Sequence, residues 1–101
     1  MTVAIFTLVA VLAATPPILR AVDTDPLMVR ATGFKPHERV KVVVSSPFDV
    51  AARVVRSDTR GRFRVAFRLS FDRCDAFTVR ATGQRGTRAR LQFDAPLCAT
   101  P

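Results

Sequence analysis

The stretch Arg62-Phe63-Arg64-Val65-Ala66-Phe67-Arg68-Leu69 decides the fold class of this chain. Apolar side chains occupy every second position from Phe63 to Leu69, and arginine fills all but one of the positions around them. Successive side chains of a β-strand point to opposite faces of a sheet. This alternation therefore predicts a strand with one apolar face and one charged face.

Similar alternation recurs along the chain, and clusters of turn-forming residues separate the runs. The predicted strands are Leu27–Ala31, Arg39–Val44, Phe48–Val55, Arg62–Leu69, Phe77–Ala81 and Arg88–Phe93, with a further short one over Ile18–Val22. Short strands at a spacing of about ten residues are typical of β-sandwiches. We therefore predict an all-β fold, a single small sandwich of six or seven strands.

The alternation also predicts which side chains form the core. The inward set is Leu27, Val29, Ala31, Val40, Val42, Val44, Phe48, Val50, Ala52, Val54, Phe63, Val65, Phe67, Leu69, Phe77, Val79, Ala81, Ala89, Leu91 and Phe93. The outward set is Arg30, Arg39, Lys41, Asp49, Arg53, Arg62, Arg64, Arg68, Arg80, Arg88 and Arg90. A slip of one residue in any strand would bury charges, so we expect the register to be well specified.

An apolar run at residues 3–14, VAIFTLVAVLAA, has the character of a secretory signal peptide. It is shorter than the ~20 residues that cross a bilayer as a helix. We expect a signal peptide at 1–14, an entry segment at 15–24 and the sandwich domain at 25–101. The mature chain would then be secreted or displayed at the cell surface, without a transmembrane segment. Because no Lys or Arg precedes the run, an uncleaved anchor or a first strand stays open.

Length and composition limit the classes of function. The chain has 101 residues, 49% of them hydrophobic and 24% charged, with a formal net charge of +8. This length fits one small domain and excludes a multi-domain enzyme. The single histidine, His37, lies in a turn with no nucleophile in a suitable context, so we predict no catalytic residues. Asp23 and Asp25 are too few for a calcium site, and no metal or cofactor is implied.

The two cysteines, Cys74 and Cys98, predict a disulfide bond if the chain is exported. This bond would close a loop of roughly 25 residues and contribute about 3–4 kcal/mol by the loop-entropy estimate. The alternatives are two free thiols or a pair of metal ligands, but no CxxC motif is present.

The positive charge concentrates on the outward strand positions, whereas most acidic residues fall in turns. A basic sheet face can engage a polyanion, such as an anionic envelope polymer or membrane headgroups. Nucleic acid is disfavoured, because the strand phenylalanines belong to the predicted core and the chain has no Trp or Tyr on which bases could stack. The predicted binding residues are Arg62, Arg64, Arg68, Arg88 and Arg90. The alternative is a face that is merely solvated.

Several segments resemble a bacterial family. Residues 29–42, VRATGFKPHERVKV, are similar to a strand–turn–strand pattern "GFxPGExV", Asp58–Phe63 to a "DxxGxF" hairpin, and residues 77–83 and 89–93 to the closing strands. Together they resemble exported actinobacterial immunoglobulin-like modules of the IPT/TIG and neocarzinostatin-like kinds. The 14 arginines against 2 lysines fit a GC-rich coding bias. His37 stands where the family has glycine.

The resemblance implies an immunoglobulin-like β-sandwich without catalytic residues that acts as a surface, adhesion or accessory module. We therefore expect a non-enzymatic secreted or cell-surface module with a binding or structural role. Its partner would be a protein or an anionic envelope polymer, and the polymer would contact the basic sheet face. The alternative is a small secreted inhibitor or ligand carrier that acts through the loops Ser45–Asp49 and Gly83–Thr87. Gly33 and Gly83, which end the repeated sequence VRATG, are both expected to have positive φ.

Overall fold

The computed structural model describes residues 16–72 and 75–94, which form seven β-strands and no helix. The strands are β1 (Ile18–Thr24), β2 (Leu27–Thr32), β3 (Arg39–Ser45), β4 (Val50–Arg56), β5 (Phe63–Ala66), β6 (Phe77–Gly83) and β7 (Arg88–Phe93). The expected signal peptide at 1–14, and both Cys74 and Cys98, lie outside the described residues.

Two antiparallel sheets form the sandwich. The three-stranded sheet has the order β1-β2-β5, and the four-stranded sheet has the order β4-β3-β6-β7. β1 lies beside β7 at one side, and β4 lies beside β5 at the other. The prediction of a small all-β sandwich with six or seven strands is therefore confirmed, with β1 covering most of the predicted entry segment.

Apolar side chains of both sheets meet in one core, as the alternation predicts for β2, β3, β5, β6 and β7. The buried apolar residues are Leu19, Leu27, Val29, Ala31, Phe34, Val40, Val42, Val44, Phe63, Val65, Phe67, Phe71, Phe77, Val79 and Ala81. Stacked rings of Phe71, Phe77 and Phe93 pack against one another at one end, with centroid distances of 4.6 and 5.1 Å. Phe34 and Phe63 make an edge-to-face pair at 5.1 Å.

The predicted register of β4 is wrong. Phe48, Val50 and Val54 were expected in the core but are 88%, 73% and 53% exposed, and Ala52 is also exposed. Instead, Ala51 and Val55 pack against the core. The expected outward residue Arg53 lies on this inward side, where it escapes burial at the sheet edge and donates to the carbonyl of Ala66 (2.6 Å).

The β3–β4 turn explains the register. The Ser46 N–H donates to the Asp49 carbonyl at 2.8 Å, and Ser46 Oγ accepts from the Asp49 N–H at 3.0 Å. This short turn sets Ser45 opposite Val50, which puts Val50 on the outward face with Ser45. The two alternating sets of side chains in β4 are both largely apolar. Turn geometry rather than hydrophobicity therefore selects which set faces the core.

Candidate functional site

Three arginines form a row across the outer face of the three-stranded sheet. Arg20 of β1 is the direct partner of Arg30 of β2, and Arg30 is the direct partner of Arg64 of β5. All three side chains are exposed. Directly opposed residues of antiparallel strands project from the same face. With neighbouring strands about 4.8 Å apart, this arginine row is about 10 Å long.

Arg62 extends the cationic surface beside the row. Arg62 lines an open depression together with Arg30, Arg64 and Asp58. Between residues that the structure describes, the one ion pair joins Arg62 Nε to Asp58 Oδ2, at 3.9 Å with both side chains about half exposed. The members of the arginine row thus have no carboxylate partner within 16–72 and 75–94.

Asp58 serves the turn that precedes β5. Its Oδ1 accepts the N–H groups of Arg60 (2.8 Å) and Arg62 (2.9 Å). The Arg62 N–H bond is the largest influence on the pKa of the Asp58 carboxyl. Desolvation opposes it, but the Arg60 N–H and the two arginine charges help it to hold that pKa below its usual value. Gly61 has φ +73° in this turn. Asp58 and Gly61 thus provide the side-chain acceptor and the positive φ that suit a tight turn.

The five predicted binding arginines divide between two faces. Arg64 lies in β5, with Arg62 just before it and Arg68 just after it, at the three-stranded sheet. Arg88 and Arg90 lie in β7, on the outer face of the four-stranded sheet. Because the two sheets pack through their inner faces, the outer faces point in opposite directions. The structure therefore does not bring the five together, and it adds Arg20 and Arg30 to the first group.

The sequence could have supplied part of the arginine row. Alternation places Arg30 outward next to the apolar Val29 and Ala31, and it places Arg64 outward in β5. The pairing of β2 with β5 cannot be read from the sequence, because two strands of the other sheet intervene between them. Non-local pairing is what joins the arginines into one row.

The outer face of the four-stranded sheet is also basic. Arg80 of β6 is the direct partner of Arg90 of β7, and Arg39 of β3 is the direct partner of Arg56 of β4. Each central strand that carries the repeated VRATG sequence thus presents its arginine outward, opposite another arginine. Arg90 also donates to the side-chain oxygen of Gln92, at 3.3 Å.

Glu38 is a buried carboxylate that the sequence alone did not single out. It is 1% exposed and lies directly before β3. Its Oε1 accepts the Lys35 N–H (3.1 Å) and its Oε2 accepts the Arg85 N–H (2.9 Å). Its backbone N–H donates to Ser57 Oγ at 2.8 Å, and its carbonyl accepts the Ser57 N–H at 2.9 Å. Glu38 therefore joins the β2–β3, β4–β5 and β6–β7 connections at one end of the sandwich.

Hydrogen bonding keeps Glu38 ionised. Burial by itself raises the pKa of the Glu38 carboxyl. Bonds from the Thr87 side chain and from the N–H groups of Lys35, Arg85 and Thr87 together outweigh burial, so the pKa lies below its usual value. With its oxygens occupied by loop groups, this carboxylate has a structural role.

The expected backbone conformation holds for one of the two glycines that end VRATG. Gly33 has φ +82°, whereas Gly83 does not have positive φ. A Cβ at Gly83 would overlap the carboxylate of Glu38, so close approach requires this glycine. His37, where the resembled family has glycine, has φ +54° at the third position of the turn Lys35–Glu38.

The two loops of the alternative function lie at opposite ends of the sandwich. Ser45, at the start of the first loop, pairs with Thr78, whereas Gly83, at the start of the second, pairs with Val40 at the other end of β3. The first loop presents the exposed Phe48. The second is held by the Arg85 N–H bond to Glu38 and by Lys35 Nζ, which donates to the Arg85 carbonyl at 2.8 Å. The two loops therefore cannot line one binding site.

The other residues considered for catalysis or metal binding make hydrogen bonds in turns. His37 is exposed, and its N–H donates to the Asp58 carbonyl at 3.2 Å. Asp23 Oδ1 accepts the Asp25 N–H at 3.1 Å. No group of three metal-ligating side chains occurs among residues 16–72 and 75–94. The same described part of the chain contains no helix that is long and apolar enough to cross a membrane.

No protein-family model matches this chain, and no curated protein and no solved structure shows significant similarity to it.

Proposed function

We propose that the protein is a non-enzymatic binding module, secreted or at the cell surface, that engages an anionic envelope polymer through the arginine row. The observation that carries this proposal is the direct alignment of Arg20, Arg30 and Arg64 across three strands. Guanidinium groups bind phosphate and carboxylate oxygens in bidentate geometry, and a row of them suits a ligand with repeated charges.

Repulsion between the arginines of the row favours the binding of an anionic ligand. Like charges directly opposite each other on a sheet destabilise the fold by up to about 1 kcal/mol per pair. Within the described residues, no carboxylate neutralises Arg20, Arg30 or Arg64. A bound polyanion would remove this repulsion while it gains charge-assisted hydrogen bonds. The open depression lined by Arg30, Arg62 and Arg64 fits a chain that lies across the sheet.

We also propose that the sandwich is immunoglobulin-like, which the strand orders β1-β2-β5 and β4-β3-β6-β7 support. Constant-type immunoglobulin sandwiches likewise divide about seven antiparallel strands between two packed sheets. Such a scaffold exposes its outer sheet faces. Export and the Cys74–Cys98 disulfide belong to the same proposal, and the intact mass of the secreted protein tests both.

Retention on phosphocellulose tests the proposed site. We expect the wild-type chain to be retained at low salt and the triple variant Arg20→Ser/Arg30→Ser/Arg64→Ser to elute at markedly lower salt. The matched control, Lys41→Ser/Arg80→Ser/Arg90→Ser, removes the same net charge from the other sheet and should shift elution less. Equal shifts for both triples would mean that net charge alone drives retention. Either that result or no retention at low salt contradicts the proposal.

A further inference from the structure

The outer face of the four-stranded sheet has an apolar half along β4 as far as Val54 and a cationic half, to which Arg56 at the end of β4 also belongs. Val50, Ala52 and Val54 form an apolar edge band along β4, and Phe48 stands beyond it at the tip of the β3–β4 turn, 88% exposed. Val43 of β3 continues the band inward as the direct partner of both Ala52 and Arg80. Large exposed apolar side chains grouped in this way mark an interaction surface.

The other half of this face is cationic and free of acidic residues. Lys41 lies opposite Val54 and Thr82, and Arg80 lies opposite Arg90. None of the strands β3, β4, β6 and β7 contains an Asp or a Glu. Among described residues, the acidic ones directly next to these strands along the chain are the buried Glu38 before β3, Asp49 beside the turn tip and Asp94 after β7.

Charge selects the kind of partner that can cover this face. A symmetric dimer through it would bring Lys41, Arg80 and Arg90 towards the same cations of the second copy, which opposes association. A hydrated polymer would pair with the cations but would leave Phe48 and the edge band in water. A membrane surface that contains anionic lipid matches both halves, because it offers phosphate groups next to an apolar layer.

We propose that the outer face of the four-stranded sheet docks on an anionic lipid surface. Phe48, Val50 and Val54 enter the boundary between headgroups and acyl chains, and Lys41, Arg80 and Arg90 contact lipid phosphates. An open depression lined by Arg39, Lys41, Val43 and Val54 lies where the two halves meet and can receive a headgroup. This proposal does not depend on the arginine row, which lies on the opposite face of the molecule.

A tryptophan at position 48 provides a local reporter. The chain has no Trp and no Tyr, so Phe48→Trp gives a single emitting residue at the turn tip. We expect its emission to shift to the blue when vesicles of phosphatidylglycerol and phosphatidylcholine are added, and brominated acyl chains should quench it. Vesicles of phosphatidylcholine alone should leave it unchanged. Emission that stays as in buffer with the anionic vesicles overturns the proposal.

Sedimentation with the same anionic vesicles tests the two halves separately. Lys41→Ser/Arg80→Ser/Arg90→Ser should weaken binding roughly a hundredfold, at about tenfold for every 1.4 kcal/mol and about 1 kcal/mol per cation. Val50→Ser/Val54→Ser should weaken it roughly tenfold. Val22→Ser, at a 50% exposed valine of β1, should bind as the wild type does. Arg20→Ser/Arg30→Ser/Arg64→Ser removes the same net charge from the opposite face and should weaken binding far less than the Lys41/Arg80/Arg90 variant.

All variants are compared in the full chain, so that any contribution of the apolar run at residues 3–14 to vesicle binding is the same in each. If that run caused binding, the substitutions on the four-stranded sheet would not alter it, and the reporter of the Phe48→Trp variant would stay in water. Vesicle binding that is insensitive to both sets of substitutions therefore overturns the proposal. Loss of vesicle binding in the Arg20/Arg30/Arg64 variant overturns it as well, and the phosphocellulose result remains a separate test of the arginine row.

Discussion

At the residue scale, Glu38 shows how a buried charge organises the loops at one end of the sandwich. Its carboxylate accepts N–H groups from Lys35 and Arg85, which are far apart in the sequence, and its backbone pairs with Ser57. Buried polar groups persist in native proteins when they are fully hydrogen-bonded. The sequence shows only that a Glu follows a turn, because its partners come from two other connections of the chain.

We expect Glu38→Gln to lower the free energy of unfolding by about 1–3 kcal/mol at pH 7, because an amide group would face backbone donors. The lowered pKa of Glu38 means that its contribution is complete above the pKa of the unfolded chain and is lost as pH falls through the folded pKa. In urea unfolding from pH 7 to pH 3, the gap in the free energy of unfolding between wild type and variant should therefore close in acid. Asp49→Asn, at an exposed turn carboxyl, should open no such gap. A gap that stays constant down to pH 3 would contradict the role of ionised Glu38.

A double-mutant cycle tests the contact between Gly83 and Glu38. Gly83→Ala should cost roughly 1–3 kcal/mol, because its methyl group would meet the Glu38 carboxylate in a closely packed region. In a Glu38→Ala background the same substitution should cost clearly less, since the clash is gone. Denaturant unfolding of the four proteins gives the coupling energy. Additive costs would show that Gly83 is required for another reason.

At the element scale, β4 is the strand that sequence reasoning placed on the wrong face. For β2, β3, β5, β6 and β7, charged residues such as Arg30 and Arg64 mark the outward phase, and the apolar phase is the one that meets the core. In β4 both phases contain alanine and valine, and Arg53 is tolerated inward because the strand is at an edge. The turn at Ser46 fixes the register there, and hydrophobic alternation does not encode turn geometry.

Two neighbouring valines test the register of β4. Val55 packs against the core and Val54 is 53% exposed, so Val55→Ser should lower the free energy of unfolding by about 1–2 kcal/mol. Val54→Ser should change it by less than about 0.5 kcal/mol. Thermal or urea unfolding of the two variants makes the comparison. If Val54→Ser lowered the free energy of unfolding more than Val55→Ser does, the result would support the register that the alternation predicted.

At the scale of the whole molecule, a net charge of +8 is arranged as opposed arginines on both outer faces. The sequence predicted that the charges lie outward, and this holds apart from Arg53. It did not predict that Arg20, Arg30 and Arg64 align. The alignment depends on the strand order in the sheet and on the register between β2 and β5, which are not consecutive in the sequence. The arginine row is thus a property of the assembled sheet.

This charge arrangement predicts that salt stabilises the protein. The Debye screening length shortens from about 30 Å at 0.01 M salt to about 8 Å at 0.15 M salt. Repulsion along the arginine row should therefore weaken over this range, and the melting temperature should rise.

Arg30→Thr tests this repulsion, because it removes the central charge of the row and keeps a residue suited to strands. At 0.01 M NaCl we expect it to stabilise the fold by about 0.5 kcal/mol, or about 2–4 °C, and to reduce the salt dependence. Arg88→Thr removes the same charge opposite Thr82 and should gain less. If Arg30→Thr instead melts below the wild type at low salt, the three arginines do not repel one another, and the energetic support for a polyanion site is lost.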